Sequence, residues 1–289
     1  MKKNLKSILM LAALLMAGAA TTSCSNDEEV NEPAVKTYHM SINVTKGSDA
    51  LTRALSLDGT TLNASWAKDD KVYVFNGDKK TACGGYLEAQ SDGASTTLDG
   101  TLTGTIEVGD MIVLFYPYPG TDGWDFTGQD GTLATIATKY DTSVGYAQVK
   151  SVSGGTITAA GPSDVPVIFE NGGAIVKFTL LNKADDTPIN ATSLIISAKD
   201  GSDNEMLIQK QPIDMEAKIT CGPIDITPAS ATNVLFAALC PDYGGLTDPI
   251  PYNYTLTASV GTDTYTCTAT GVKLEFGKYY DITVKMTKL

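Results

Sequence analysis

Three rare residues set the chemical possibilities of this chain: its only histidine, His39, its only arginine, Arg53, and Cys24, which stands directly behind an apolar run. A nucleophilic triad needs a base beside Ser or Cys. His39 falls on the polar side of an alternating segment, so that chemistry lacks its base. Cys83, Cys221, Cys240 and Cys267 form no CxxC pair, and no second histidine completes a zinc site. The expectation is therefore no metal, no cofactor and no catalysis. An exported chain permits disulfides, but their connectivity is not legible here, and core thiols are the default reading. Carboxylate pairs hydrolyse glycosides, yet many acids here stand in Asp-Gly pairs or beside lysines, the ordinary place for solvated charge. The loop 121–131 (TDGWDFTGQDG) sets three aspartates around Trp124 and Phe126. Calcium or a sugar ring is one reading of it, although the spacing is not that of a known calcium loop. Turns around a packed aromatic are the more ordinary reading.

The chemistry of Cys24 is that of export. Lys2, Lys3 and Lys6 precede the 13-residue apolar run 8–20 (ILMLAALLMAGAA), which is too short to span a bilayer. Thr21-Thr22-Ser23 then lead to the cysteine. This is the pattern of a bacterial lipoprotein signal over residues 1–23, in which the Cys24 thiol is acylated and becomes the mature N-terminus. The plainer alternative is a secretory signal with an incidental cysteine. Residues 24–36 are polar and acidic and read as an unstructured tether. No later segment reaches 18 apolar residues, so no crossing of the membrane is expected beyond the anchor. The 33 acids against 21 bases, a net charge of −12, argue against a nucleic-acid partner.

The elements that must position these residues are strands. Apolar or alternating runs recur at 71–75 (KVYVF), 111–116 (MIVLFY), 174–181 (AIVKFTLL), 193–197 (SLIIS), 233–238 (NVLFAA) and 252–260 (YNYTLTASV), and no long segment keeps a 3.6-residue period. Asp-Gly pairs begin at Asp58, Asp92, Asp99, Asp122, Asp130 and Asp200 and supply the positive φ of tight hairpin turns. The chain reads as all-β. The Gly- and Pro-rich stretch 154–166 suggests a boundary, giving domains 37–160 and 161–289. Each is the size of one β-sandwich, so two sandwiches in tandem are expected. Trp66, behind an alternating segment, is expected in the core.

Residues 37–46 (TYHMSINVTK) place Tyr38, Met40, Ile42 and Val44 on one face of a half-buried strand. Burying four such side chains contributes roughly 6–12 kcal/mol, at ~1.5–3 each. That is comparable to a domain's whole net stability of about 5–15 kcal/mol. Just beyond it, Leu51-Thr52-Arg53-Ala54 lies in a polar stretch of the kind where proteolysis occurs. An arginine-specific protease meets a single site in the chain and separates the anchor and first strand from the rest. The compositional alternative is drift towards lysine, since 20 of the 21 bases are lysine; drift alone does not explain the position.

Losing a strand leaves an apolar groove with unpaired edges, which recruits another strand. Residues 279–289 (YYDITVKMTKL) offer one. Tyr280, Ile282, Val284 and Met286 alternate with Asp281, Thr283, Lys285 and Thr287, much as in the first strand. The alternative is that this is simply the last strand of the second sandwich. Donation then requires it to leave its own domain.

With these pieces in place, the chain resembles the Bacteroidetes fimbrillin family, the Mfa-like and FimA-like subunits of type V pili. The resemblance is carried by the signal ending at Cys24, by Thr52-Arg53-Ala54, by Trp66 with Lys68-Asp69-Asp70-Lys71-Val72-Tyr73-Val74-Phe75, and by the opening Ala174-Ile175-Val176-Lys177-Phe178-Thr179-Leu180. Leu235-Phe236-Ala237-Ala238 with Pro241, and the closing Gly277-Lys278-Tyr279-Tyr280-Asp281-Ile282-Thr283-Val284, complete it. The acids behind Cys24 are similar to the surface-export signal of Bacteroidetes lipoproteins. The resemblance implies two transthyretin-like Greek-key β-sandwich domains, export as an outer-membrane lipoprotein precursor, and cleavage between Arg53 and Ala54 by a surface protease. It also implies polymerisation by strand exchange into an extracellular fimbria. The implied partners are other fimbrial subunits, an arginine-specific protease, the outer membrane through the lipid, and host or bacterial surface ligands. The alternative is a lipid-anchored adhesin or glycan-binding lipoprotein that does not polymerise, with Trp124 in its binding loop.

Overall fold

A computed structural model describes residues 35–46, 65–118, 123–213, 218–242 and 249–289, with the backbone alone at 56–58 and 61–63. The chain is all-β. The longer strands of the first half are β1 (Lys36–Lys46), β2 (Lys71–Asn76), β3 (Leu87–Ala89), β4 (Ser95–Gly104), β5 (Met111–Tyr116), β6 (Ser143–Ser153), β7 (Thr156–Ala160) and β8 (Val167–Asn171). They pair in the order β7-β1-β8-β6-β5-β2-β3-β4, and β1 also pairs with β4. That last pairing closes the sheet on itself, so the first half is a barrel-like sandwich.

The second half contains β9 (Ala174–Asn182), β10 (Ser193–Lys199), β11 (Ile208–Gln211), β12 (Ile224–Ile226), β13 (Val234–Leu239), β14 (Tyr252–Val260), β15 (Asp263–Val272) and β16 (Tyr279–Lys288). Seven of these form a sheet in the order β12-β10-β14-β15-β16-β9-β13. The change from one sheet to the other falls between β8 and β9, later than the expected boundary at 160/161. Val167, Ile168 and Phe169 pair in parallel with Val44, Thr45 and Lys46 of β1, which holds β8 in the first sheet.

β2 and β5 are buried on both faces, which is why KVYVF and MIVLFY are continuous apolar runs rather than alternating ones. Val72, Val74, Ile112, Leu114 and Tyr116 line the first core with Trp66. Tyr73, Phe75, Val113 and Phe115 face outward into a second cluster that runs through Trp124, Phe126 and Tyr140 into the second half. The connection between β5 and β6 makes this join. Phe126 N donates to Gln209 O at 2.8 Å, and Phe236 N donates to Gly131 O at 2.9 Å. The buried Gln129 amide donates to Ala238 O and accepts from Ala238 N, both at 2.8 Å.

One Asp-Gly pair does not make a turn. Asp99-Gly100 lies inside β4, opposite Ser41 and Met40. A Cβ at Gly100 would stand 2.4 Å from Tyr86 O, so this glycine serves the close approach of a neighbouring backbone. Gly93, Gly123 and Gly131 do take positive φ.

Candidate functional site: the groove closed by the first strand

β1 is a stave of the first barrel. On one side it runs antiparallel to β4 over ten residue pairs, from Lys36↔Gly104 to Thr45↔Ser95. On the other it runs parallel to β7 at His39 and Met40 and to β8 at Val44–Lys46. Both edges are therefore paired, and withdrawing β1 alone would open the barrel along its length.

The period of two decides what β1 buries. Tyr38, Met40, Ile42 and Val44 are all buried and pack against Leu98, Leu102, Ile157, Val167 and Phe169 in one cluster. His39, Ser41 and Asn43 are exposed. His39 Nε2 stands 3.3 Å from Asp99 Oδ2 on the solvent side, so the histidine is a surface residue there. At the start of β1 lies a surface cleft of about 610 Å³, lined by Tyr38, Ile106, Val108 and Val152 among others.

The inward face has a fifth member that the sequence pattern did not bring out. Lys46 is only 5% exposed. Its Nζ lies 3.5 Å from the Trp66 ring centroid and 4.1 Å from that of Tyr116. Asp141 and Asp70 supply the nearby negative charge. Asp70 Oδ2 is held by Ala67 N at 2.9 Å and by the Tyr116 hydroxyl at 3.2 Å. Lys46 Nζ, Asp141 Oδ2 and Trp66 Nε1 are buried without a hydrogen-bond partner. Desolvation is the main cause that lowers the Lys46 amine to about 7, with Asp141 and then Asp70 opposing it. Burial likewise pushes the Asp141 carboxyl well above its ordinary range, against the opposing charge of Lys46. The signal available in the sequence was the spacing: Lys46 continues the i, i+2 series of Tyr38 to Val44.

β16 is bound differently. It runs parallel to β9 over eight residue pairs, but meets β15 only at Tyr265↔Lys288 and Thr266↔Thr287. Its apolar face is correspondingly open. Met286 is fully buried and Ile282 is 39% exposed; Tyr280 and Val284 are half-buried. Burial along the alternating face is complete at Met286 and absent at Ile282, because β15 pairs with β16 only near the C-terminal end of β16 and leaves that part of the seam uncovered.

The other expected sites are dispersed. Cys24, Arg53 and Ala54 lie outside the described residues. Trp124 is 6% exposed, stacks edge-on against Phe115 at 5.4 Å and donates from Nε1 to Pro117 O at 3.2 Å. Asp125 Oδ1 accepts from Thr127, and Asp130 accepts from Thr132 and Thr135, so these carboxylates organise turns. Cys83 and Cys240 are buried free thiols, and Cys221 and Cys267 are free and half-buried. Among the described residues no helix is long and apolar enough to cross a membrane.

No protein-family model and no curated protein matches the chain. Solved structures do. A provisionally assigned cell adhesion protein from Bacteroides uniformis matches at 12% identity and a TM-score of 0.45, over 86% of this chain and 96% of its own. One from Bacteroides ovatus matches at 16% identity and a TM-score of 0.42, over 89% and 96%. A tip fimbrial protein from Porphyromonas gingivalis, with C-terminal truncation, matches at 10% identity and a TM-score of 0.38, over 86% and 95%. The structures this chain is similar to are thus Bacteroidetes cell-adhesion and fimbrial proteins, the class its motifs resemble.

Proposed function

We propose that this protein is a structural subunit of a cell-surface type V fimbria and has no catalytic role. In this reading it is exported as a lipoprotein precursor held in the outer membrane by Cys24, cleaved between Arg53 and Ala54 by an arginine-specific protease, and assembled by donor-strand exchange with other fimbrial subunits. The observation that carries the proposal is the position of β1. A single buried stave closes the first barrel, its whole apolar face lies in one core, and the only arginine of the chain follows it in sequence. Cleavage there detaches the stave's continuous chain without cutting any other described strand. The vacated groove would present an apolar floor between two unpaired backbone edges, the binding geometry of strand addition.

The test uses a soluble chain beginning at Ser25. Treatment with an arginine-specific protease should convert it to a heat-sensitive ladder on a gel, while Arg53→Lys stays monomeric. A ladder from Arg53→Lys would show that cleavage is not the switch. The glycan-binding alternative rested on Trp124, whose ring is packed between Phe115 and the second half of the chain, and no described feature favours it.

A further inference from the structure

The inward face of β1 ends in an amine, and the surroundings of that amine are built. Trp66 and Tyr116 flank it at 3.5 and 4.1 Å, with Phe169 behind at 5.8 Å. Asp141, itself 5% exposed, leaves Oδ2 without a partner, as Trp66 does Nε1. If β1 withdraws, Lys46 goes with it, and these groups remain at the end of the groove without its amine.

β16 carries the matching pattern. The inward series of β1 is Tyr38, Met40, Ile42, Val44, Lys46; the same spacing in β16 gives Tyr280, Ile282, Val284, Met286, Lys288. Each series opens with tyrosine, continues with three apolar residues and ends with lysine. The pairing polarity also agrees. β1 has antiparallel β4 on one side and parallel β7 and β8 on the other; β16 has antiparallel β15 and parallel β9. At home, Lys288 lies on the surface, ion-paired with Asp263.

We propose that the end of the groove beyond Val44 is an amine-reading pocket that sets the register of the incoming strand, and that Lys288 from β16 of a second copy of this chain fills it. The inference rests on the strand-exchange reading and adds to it the residue that chooses the alignment. In the matched register Lys288 meets Trp66, Asp141 and Asp70. A slip of two residues one way puts the amine at the position of Val44, which is fully buried among apolar side chains. A slip the other way sets Met286 against Asp141 and leaves that buried carboxyl group facing a thioether instead of an amine. A slip of one residue turns the apolar face to solvent. A single buried polar group can fix registry at some cost in stability, and this amine site is placed at the end of an otherwise uniform apolar series.

The experiment uses the chain beginning at Ser25, cut with an arginine-specific protease, and labelled synthetic peptides of residues 277–289. Uptake is read as a heat-sensitive gel shift. The natural peptide should be taken up, and its Lys288→Met and Lys288→Glu versions should bind at least about tenfold more weakly, a factor that corresponds to about 1.4 kcal/mol. The substitutions sit in the peptide, so folding of the acceptor is not at stake. An Asp141→Asn acceptor should show a reduced preference for the natural peptide over the Lys288→Met version. Equal uptake of the natural and Lys288→Met peptides by the unaltered acceptor would overturn the pocket while leaving strand exchange standing. Failure of the natural peptide, with rebinding of a 35–46 peptide as the positive control, would overturn donation by β16 itself.

Discussion

A lysine whose amine has no hydrogen-bond partner and whose stem lies between aromatic rings holds its proton less firmly than a solvated one. For Lys46 burial is the leading cause, and it brings the amine to about 7. In the unfolded chain a lysine keeps its proton to about 10.4. Between these values the unfolded state binds more protons than the native state, so this residue makes stability rise with pH, by at most about 1.4 kcal/mol per pH unit. Lys46→Met removes that rise. The melting temperature of the wild type minus that of Lys46→Met should therefore grow from about pH 7 to about pH 9.5, inside the window between the two pKa values. Parallel curves from thermal melts would contradict the buried placement of the amine. Gly100 is the second residue-scale test. Because a Cβ there would meet Tyr86 O at 2.4 Å, Gly100→Ala should cost about 1–3 kcal/mol by overpacking, measured by urea unfolding. A glycine that merely formed a turn with tolerant φ would lose little.

At the scale of the element, β1 and β16 carry nearly the same side-chain series in unequal environments. Tyr38, Met40 and Ile42 are buried in the first barrel, whereas Tyr280, Ile282 and Val284 are only partly covered in the second. Moving β16 into the groove of β1 would bury more of its apolar face, which favours exchange once the groove is vacant. Against it stand the eight parallel pairs with β9 that must first break. The 39% exposure of Ile282 separates the two roles of this strand. Ile282→Lys should shift the stability of the uncut monomer by less than about 1 kcal/mol, as exposed positions generally do. It should nevertheless abolish the ladder formed after cleavage, because a charge would enter the position Met40 vacates. A ladder of unchanged length distribution from Ile282→Lys would exclude β16 as the donor.

Over the whole molecule the two sheet systems are joined by the connection between β5 and β6. Gln129 is its anchor: the side-chain amide pairs with both backbone groups of Ala238 and reaches Phe126 O at 3.0 Å. Gln129→Ala leaves Ala238 N and O unpaired, at about 1–3 kcal/mol for each buried group. Calorimetry should show the single transition broadening as the halves uncouple. A sharp transition at an unchanged temperature would mean that the apolar cluster around Trp124 and Phe126 joins the halves without it. The same cluster explains why the loop 121–131 looked like a binding site in sequence. A tryptophan among aspartates reads identically whether its ring meets a ligand or the outer face of Phe115.

Composition and a period of two sufficed for the all-β class, the span of β1 and β16 and the core place of Trp66, since these depend on local alternation and on side-chain size. The asymmetry of one arginine among lysines was equally plain, being a matter of counting. What needed the tertiary structure were facts about partners distant in the chain. Only closure of the barrel through β4 makes β1 a stave rather than an edge, and only the short pairing of β15 with β16 leaves Ile282 uncovered. Lys46 reads as an ordinary strand-end lysine until Trp66, Tyr116, Asp70 and Asp141, contributed by separate segments, surround it. Whether a charge is solvated or enclosed is set by the packing of other segments, and one strand's own alternation holds no record of them.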